Sequence, residues 1–316
     1  MAAASLFGAS RTMESRASAD NYSTLEHEFV LPFETSLHFQ TAEEYANRYW
    51  TPILCCSAVY LGVVYLTQKA MRPRPSFNLR TPLIVWNWAL AMFSLFGAIR
   101  MLPELIFVLS KYGVYHSVCV ASYAESNLVC TFWTWAFGLS KLVELGDTVF
   151  IVLRKQPLIF LHWYHHVTVL LYTWYSIAEV TASGRWFVTL NYIVHTFMYT
   201  YYAMRAMRVR IPRRVAMGIT CGQVIQMVFG LYVNLSAYKY KQSNMPCSVT
   251  YENLAASFFM YFTYFLLFVK FFYDAYVGRR GKFIKFAAPA LTTNGSANGA
   301  ERTETDTDAN RRLKSE

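Results

Sequence analysis

Apolar residues run along this chain in seven blocks separated by short polar stretches, near 50–69, 82–109, 127–152, 157–178, 186–206, 213–237 and 251–276. Each reaches the roughly 17 to 25 residues that a helix needs to cross the hydrocarbon of a bilayer. Backbone amides find no water at that depth, so the blocks are predicted to be helices and not strands. Pro52, Pro82, Pro157 and Pro212 stand near block starts, where a helix does not use the missing amide hydrogen. Pro103 falls inside the second block and is expected to kink or end its helix. The pattern therefore predicts an all-α integral membrane protein with seven transmembrane helices.

Composition agrees: 55% of the 316 residues are hydrophobic, 17% aromatic and only 15% charged, a balance of multi-span membrane proteins. The net charge of +10 is unevenly placed. Segments 69–80, 154–155, 205–214 and 279–285 hold most of the basic residues, whereas the alternate loops hold Lys111, Arg185, Lys239 and Lys241. The positive-inside rule then sets the N-terminus on the lumenal side and the C-terminus in the cytosol. Topology accounts for the charge, and no basic stripe interleaved with aromatics suggests a nucleic-acid partner.

Three regions follow: a lumenal N-terminal tail over 1–49, a helical domain over 50–286, and a disordered cytosolic C-terminal tail over 287–316, rich in Thr, Asn, Gly and charges. The first 49 residues lack the basic start and short apolar core of a cleaved signal. Asn21-Tyr22-Ser23 is a glycosylation tripeptide on the predicted lumenal side. The last five residues, Arg312 to Glu316, are similar to a dibasic endoplasmic-reticulum retrieval signal. Of six cysteines, Cys55, Cys56 and Cys221 fall inside apolar blocks. Cys119 and Cys247 fall in two loops on the same oxidising side and are expected to pair, with Cys130 as the competing partner.

Ionisable side chains are costly at membrane depth, so the polar residues inside the blocks mark candidate chemistry. His162, His165 and His166 form an H-x-x-H-H box in the fourth block, on one face of a helix by their i, i+3 and i+4 spacing. At a rise of about 1.5 Å per residue they lie roughly 8 to 14 Å inside the cytosolic boundary. Lys141, Glu144, Asp147 and Thr148 end the third block at comparable depth, and the fifth adds Asn191, His195, Tyr199 and Tyr202. Gln223 and Gln226 follow in the sixth. The carboxylates are equally compatible with ion pairs that join helices, and the amides with interhelical hydrogen bonds. A cytosol-facing reaction centre is the arrangement that uses all of them.

Four intramembrane histidines admit several readings. Histidine boxes also occur in metal-dependent desaturases and hydroxylases, but His27, His38 and His116 lie on the wrong side and the remaining four are few for a di-iron centre. A receptor or transporter is the non-enzymatic reading; the histidines sit toward the cytosol, away from an outer ligand pocket, and no paired broken helices are evident. Neutral imidazole can instead attack a thioester, and an apolar pocket would shield the acyl-imidazole from water.

The K-x-x-E-L-x-D-T stretch from Lys141, the H-x-x-H-H box, the N-Y-x-x-H-x-x-M-Y-x-Y-Y run from Asn191 to Tyr202 and the late glutamines resemble the ELO fatty-acid elongases. The text around the box is similar to the subgroup acting on saturated and monounsaturated acyl groups. This resemblance implies an endoplasmic-reticulum enzyme in which helices 2–7 enclose an acyl tunnel and helix 1 is peripheral. It implies condensation of a long-chain acyl-CoA with malonyl-CoA, as co-substrate, to a 3-oxoacyl-CoA, with no bound cofactor or metal. The implied partners are the ketoacyl-CoA reductase, the dehydratase and the enoyl reductase of the cycle. Within that frame His165 is expected as nucleophile or, in a concerted reaction without a covalent intermediate, as general base, with His162 and His166 as its companions and His195 with Asn191 as oxyanion donors. Asp147 and Glu144 are expected to orient imidazoles. Lys141, Thr148, Tyr199, Tyr202, Gln223 and Gln226 are candidate substrate contacts, and Arg154 and Lys155 candidate CoA contacts. Oligomeric state leaves no readable mark, so a homo-oligomer stays open.

Overall fold

The computed structural model describes residues 22–36 and 38–278 and is helical, with no strand among the described residues. Asn21 and the dibasic C-terminal end lie outside the described residues. The main helices are α1 (Phe39–Arg48), α2 (Trp50–Met71), α3 (Arg80–Cys119), α4 (Ser122–Glu125), α5 (Leu128–Glu144), α6 (Gly146–Leu153), α7 (Phe160–Ala178), α8 (Gly184–Ala206), α9 (Arg213–Gln242) and α10 (Tyr251–Phe272).

Four of the seven predicted blocks give helices long and apolar enough to cross a membrane: Thr51–Met71, Arg80–Cys119, Arg213–Gln242 and Tyr251–Val277. The other three are helical but less apolar or shorter. The block expected to be continuous over 127–152 divides at Leu145, whose amide bonds back to Leu142 O at 3.3 Å and so tightens the turn. Helices α7 and α8 carry the histidines, Asn191, Arg185 and Arg205, which lower their hydropathy. Pro103 does not end its helix. The departure from helical geometry in α3 falls at Gly113 (φ 78°, ψ −169°), a left-handed φ that a residue without Cβ adopts freely.

Packing closes six helices into a ring in the order α3, α8, α9, α10, α7, α5, with α3 and α8 the most extensive pair. Helix α2 stands outside against α6 and α7. Its Ile53, Ser57 and Tyr60 are buried on one face, while Leu54, Val59, Leu61, Val63, Tyr65 and Leu66 point away. This one-sided burial suits a helix whose other face meets lipid.

Two features away from the histidine box differ from the sequence reading. Arg185, taken as a loop charge, is fully buried in the first turn of α8. Its guanidinium bonds Glu104 at 2.8 and 3.0 Å, Ser122 Oγ at 2.8 Å and the Ser117 carbonyl at 3.0 Å. Such a buried ion survives only with its hydrogen-bonding capacity filled, and here it is. The N-terminal segment is also docked where it is described. Glu34 is buried and accepts from Arg100 Nε at 2.7 Å, Arg100 Nη2 at 2.6 Å, Trp133 Nε1 at 2.6 Å and the Leu31 amide at 2.9 Å. Beside these contacts, Cys119 at the end of α3 is disulfide-bonded to Cys247, and the Ser248 amide donates to Cys119 O at 2.8 Å.

Candidate active site

The histidine box occupies the first two turns of α7. Spacing alone puts the three rings on one face, and they pack together: His162 and His166 have ring centroids 4.4 Å apart, His165 and His166 5.6 Å. The His165 ring also lies 4.9 Å from Tyr264 of α10. The Tyr264 hydroxyl meets Thr168 Oγ1 at 2.5 Å and donates to His165 O at 3.2 Å, so α10 fixes the turn that carries His165.

A second cluster joins α5 to α8. Lys141 Nζ donates to Glu144 Oε1 at 2.6 Å and to Asn191 Oδ1 at 3.0 Å, and Ser140 Oγ adds a bond to Glu144 Oε1 at 3.1 Å. His195 Nδ1 stands 3.7 Å from the same carboxylate oxygen. The ammonium is almost wholly buried and also lies over the Phe137 ring at 4.2 Å, which offsets part of its desolvation. Glu144 Oε2 and His166 Nδ1 are buried with no hydrogen-bond partner among the described residues. Buried polar atoms are rarely left so, and both lie in the layer of the clustered imidazoles.

Asp147 takes a different direction because the chain turns at Leu145. Its Oδ1 accepts from Trp86 Nε1 at 2.6 Å and its Oδ2 from Tyr199 OH at 2.8 Å. Its link to an imidazole runs through Tyr199, whose ring packs on His195 at 5.3 Å between centroids. Gly146 makes the Trp86 bond possible: a Cβ there would come within 2.7 Å of the indole. Thr148 Oγ1 lies 3.1 Å from His162 Nε2 and 2.6 Å from Tyr60 OH of α2.

The remaining candidates stand apart. Gln223 Nε2 bonds Met198 Sδ at 3.4 Å, Gln226 is buried on α9, and Tyr202 is about half exposed. Arg154 caps the end of α6. Lys155 is exposed and donates to the neighbouring loop at Arg72 O, 3.2 Å, and Arg74 O, 2.8 Å. No group of three or more His, Cys, Asp or Glu side chains is placed to hold a metal among the described residues.

Inside the ring lies a cavity walled by α5, α7, α8 and α10. On α7 its wall is Val169, Tyr172, Thr173, Ser176 and Ile177, which continues the stripe of His162, His165 and His166 by successive steps of three and four. On α8 the wall runs from Gly184 through Phe187 and Val188 to Asn191, one turn short of His195. On α5 it runs from Thr134 and Phe137 to Lys141, one turn beyond the cavity. Three helices thus carry lining and polar cluster on one face each. Far from the histidines the cavity reaches Tyr123, whose hydroxyl donates to Thr181 O at 3.0 Å.

A family model described as the ELO: GNS1/SUR4 family matches residues 45–283. The chain belongs to the ELO family. A Drosophila melanogaster protein named very long chain fatty acid elongase 6 is 48% identical to it over 260 residues, covering 82% of each chain. The human protein of that name is 43% identical over 253 residues, 80% of this chain and 95% of its own length. A mouse protein named very long chain fatty acid elongase 3 is 44% identical over 79% of this ELO chain and 90% of its own.

Reading the sequence of this ELO member missed Tyr60, Trp86 and Tyr264, each of which holds a site residue. Aromatic residues are too frequent here for any one to stand out. The i, i+4 step from Tyr264 to Phe268, both against His165, was the available signal.

Proposed function

We propose that this fatty-acid elongation enzyme catalyses the condensing step: a long-chain acyl-CoA and malonyl-CoA give a 3-oxoacyl-CoA two carbons longer, with release of CO2 and CoA. The observation that carries the reading is the shared face of α7, where the histidine box runs directly into the wall of an apolar cavity. An acyl chain lying in that cavity presents its thioester carbonyl to the histidines.

In this mechanism a His165 nitrogen attacks the carbonyl, the C–S bond breaks and CoA leaves as the thiol after taking a proton. Malonyl-CoA loses CO2, and the enolate carbon attacks the held acyl group. The C–N bond then breaks, and the departing imidazolate takes up one proton from solvent to restore the neutral imidazole. His195 and Asn191 supply polar groups where charge develops on oxygen, and a water-poor wall preserves the intermediate. Glu144 acts on His195 directly and Asp147 acts through Tyr199. His162 and His166 shape the proton inventory around His165.

The proposal extends to topology. All seven apolar blocks cross the endoplasmic-reticulum membrane, with the N-terminus lumenal, the C-terminus cytosolic and the site opening to the cytosol, in keeping with the basic loops. The product needs a carbonyl reduction, a dehydration and an alkene reduction to become a longer saturated acyl-CoA, so a ketoacyl-CoA reductase, a dehydratase and an enoyl reductase are the partners.

The test is transfer of labelled malonyl-CoA into 3-oxoacyl-CoA by purified protein without NADPH, across saturated acyl-CoAs, beside His165→Ala. Product from the wild type that is lost in the folded variant supports the reading. Intact mass after acyl-CoA alone checks the covalent step: the wild type gains one acyl group and His165→Ala gains none. Turnover without any adduct would replace the nucleophile with a general base.

A further inference from the structure

Helix α2 stands outside the ring, yet it sends one side chain to the reaction layer. Tyr60 is buried, and its hydroxyl lies 2.6 Å from Thr148 Oγ1, which in turn lies 3.1 Å from His162 Nε2. We infer that Tyr60 and Thr148 are positioning residues that fix the proton of His162 on Nδ1 and leave Nε2 as an acceptor. The inference rests on the condensing reaction proposed above only for its kinetic consequence, because the proton arrangement follows from counting donors.

Each hydroxyl carries one hydrogen, and a neutral imidazole carries one between its two nitrogens. Thr148 Oγ1 is the acceptor that the Tyr60 hydroxyl meets among the described residues. If Tyr60 donates to Thr148, Thr148 is free to donate to His162 Nε2, and every hydrogen in the chain has an acceptor. The reverse order would have Nε2–H donate to Thr148 and Thr148 donate to the phenol oxygen. The Tyr60 hydrogen would then lack an acceptor in a buried place, which is unfavourable. The first order is therefore favoured, and it defines one tautomer.

That tautomer has a consequence for the neighbouring rings. His162 and His166 are in contact, with centroids 4.4 Å apart, and His166 touches His165. A fixed proton on His162 fixes which of its edges donates toward solvent or a neighbour. The box then enters the reaction with one proton arrangement and not a mixture. Ile53 anchors the same face of α2 by packing with Leu170 and Trp174, so α2 is held against α7 independently of Tyr60.

The experiment combines kinetics with a direct view of the ring. Protein labelled with 15N-histidine is compared by solid-state NMR as wild type, Tyr60→Phe, Thr148→Val and Thr148→Ser, with the His162 signals assigned by their loss in His162→Gln. Wild type should show an unprotonated Nε2 and a protonated Nδ1, retained in Thr148→Ser and replaced by a mixture in Tyr60→Phe and Thr148→Val. In the condensation assay kcat should fall between about 10- and 100-fold in the last two, with KM for acyl-CoA little changed, as expected for lost orientation. Ile53→Ala supplies the structural comparison and should lower Tm while leaving kcat and the tautomer in place. The inference is overturned if Tyr60→Phe keeps the wild-type tautomer and kcat while losing Tm as Ile53→Ala does, since Tyr60 would then be a strut. A wild type that shows the single tautomer but no condensation would defeat the proposed function and leave the proton arrangement standing.

Discussion

Glu144 Oε1 stands 3.7 Å from His195 Nδ1 and, at 2.6 Å, receives the ammonium of Lys141. One carboxylate thus balances a buried cation and faces an imidazole. Glu144→Gln should strand the ammonium and cost about 3–5 kcal/mol of stability. Adding Lys141→Met should restore much of that loss, read as Tm in detergent. Turnover should stay down by about 100-fold in both variants if the carboxylate acts on His195. Recovery of turnover together with Tm would show that the pair is structural only.

Ile177 lies at the end of the α7 stripe, 12 residues beyond His165, or about 18 Å along the helix. Its Cδ1 reaches into the space left by the missing side chain of Gly138. Ile177→Phe should shorten the longest acyl-CoA accepted, and Ile177→Ala should lengthen it, while both retain activity on the shortest substrates. Product profiling across an acyl-CoA series reads the two shifts. Shifts of the same sign, or none, would place the acyl chain elsewhere.

The Glu104–Arg185 pair joins α3 to α8. Arg185→Lys keeps the charge but loses the fork that serves Glu104, Ser122 and the carbonyls at the end of α3 together. Tm should fall by about 5 °C or more, because several charge-assisted bonds are lost at once. Glu104→Gln should act in the same direction. Unchanged Tm in both would mean that the surrounding carbonyls suffice for the guanidinium.

The docked N-terminal segment should loosen in acid. Burial raises the Glu34 carboxyl, but the hydrogen bonds from Arg100 and Trp133 outweigh it and hold it below the usual 4.5. Burial, then Arg100, pushes His27 below its usual 6.5. Both groups bind fewer protons when docked than when free, so docking weakens as pH falls. The loss begins below about 6.5 with His27 and continues below about 4.5 with Glu34. Protease cleavage between residues 22 and 36 should accelerate in that order, and Glu34→Gln should be cleaved readily at neutral pH. A pH-independent rate would sink the argument.

The helices and the histidine face were legible because hydropathy and helical period survive in any one segment. The carboxylates were legible as a group but not in their partners. Glu144 and Asp147 are three residues apart, and only the turn at Leu145 sends one toward His195 and the other toward Trp86 and Tyr199. Arg185 looked like a loop charge because its partner, Glu104, lies 81 positions away. Tyr60 and Tyr264 were hidden by numbers, with 23 tyrosines in the chain. Pairings across the bundle depend on three-dimensional closure, which no local pattern encodes.

The cross-link between Cys119 and Cys247, separated by 128 positions, encloses α4 through α9 and with them Lys141, the histidine box, His195 and both glutamines. A single cut in the backbone between α8 and α9 would therefore leave two pieces that migrate as one on a non-reducing gel. The chemistry-bearing helices are threaded on a covalent ring, so a nicked molecule keeps its parts at intramolecular concentration and has a route back to its assembled state.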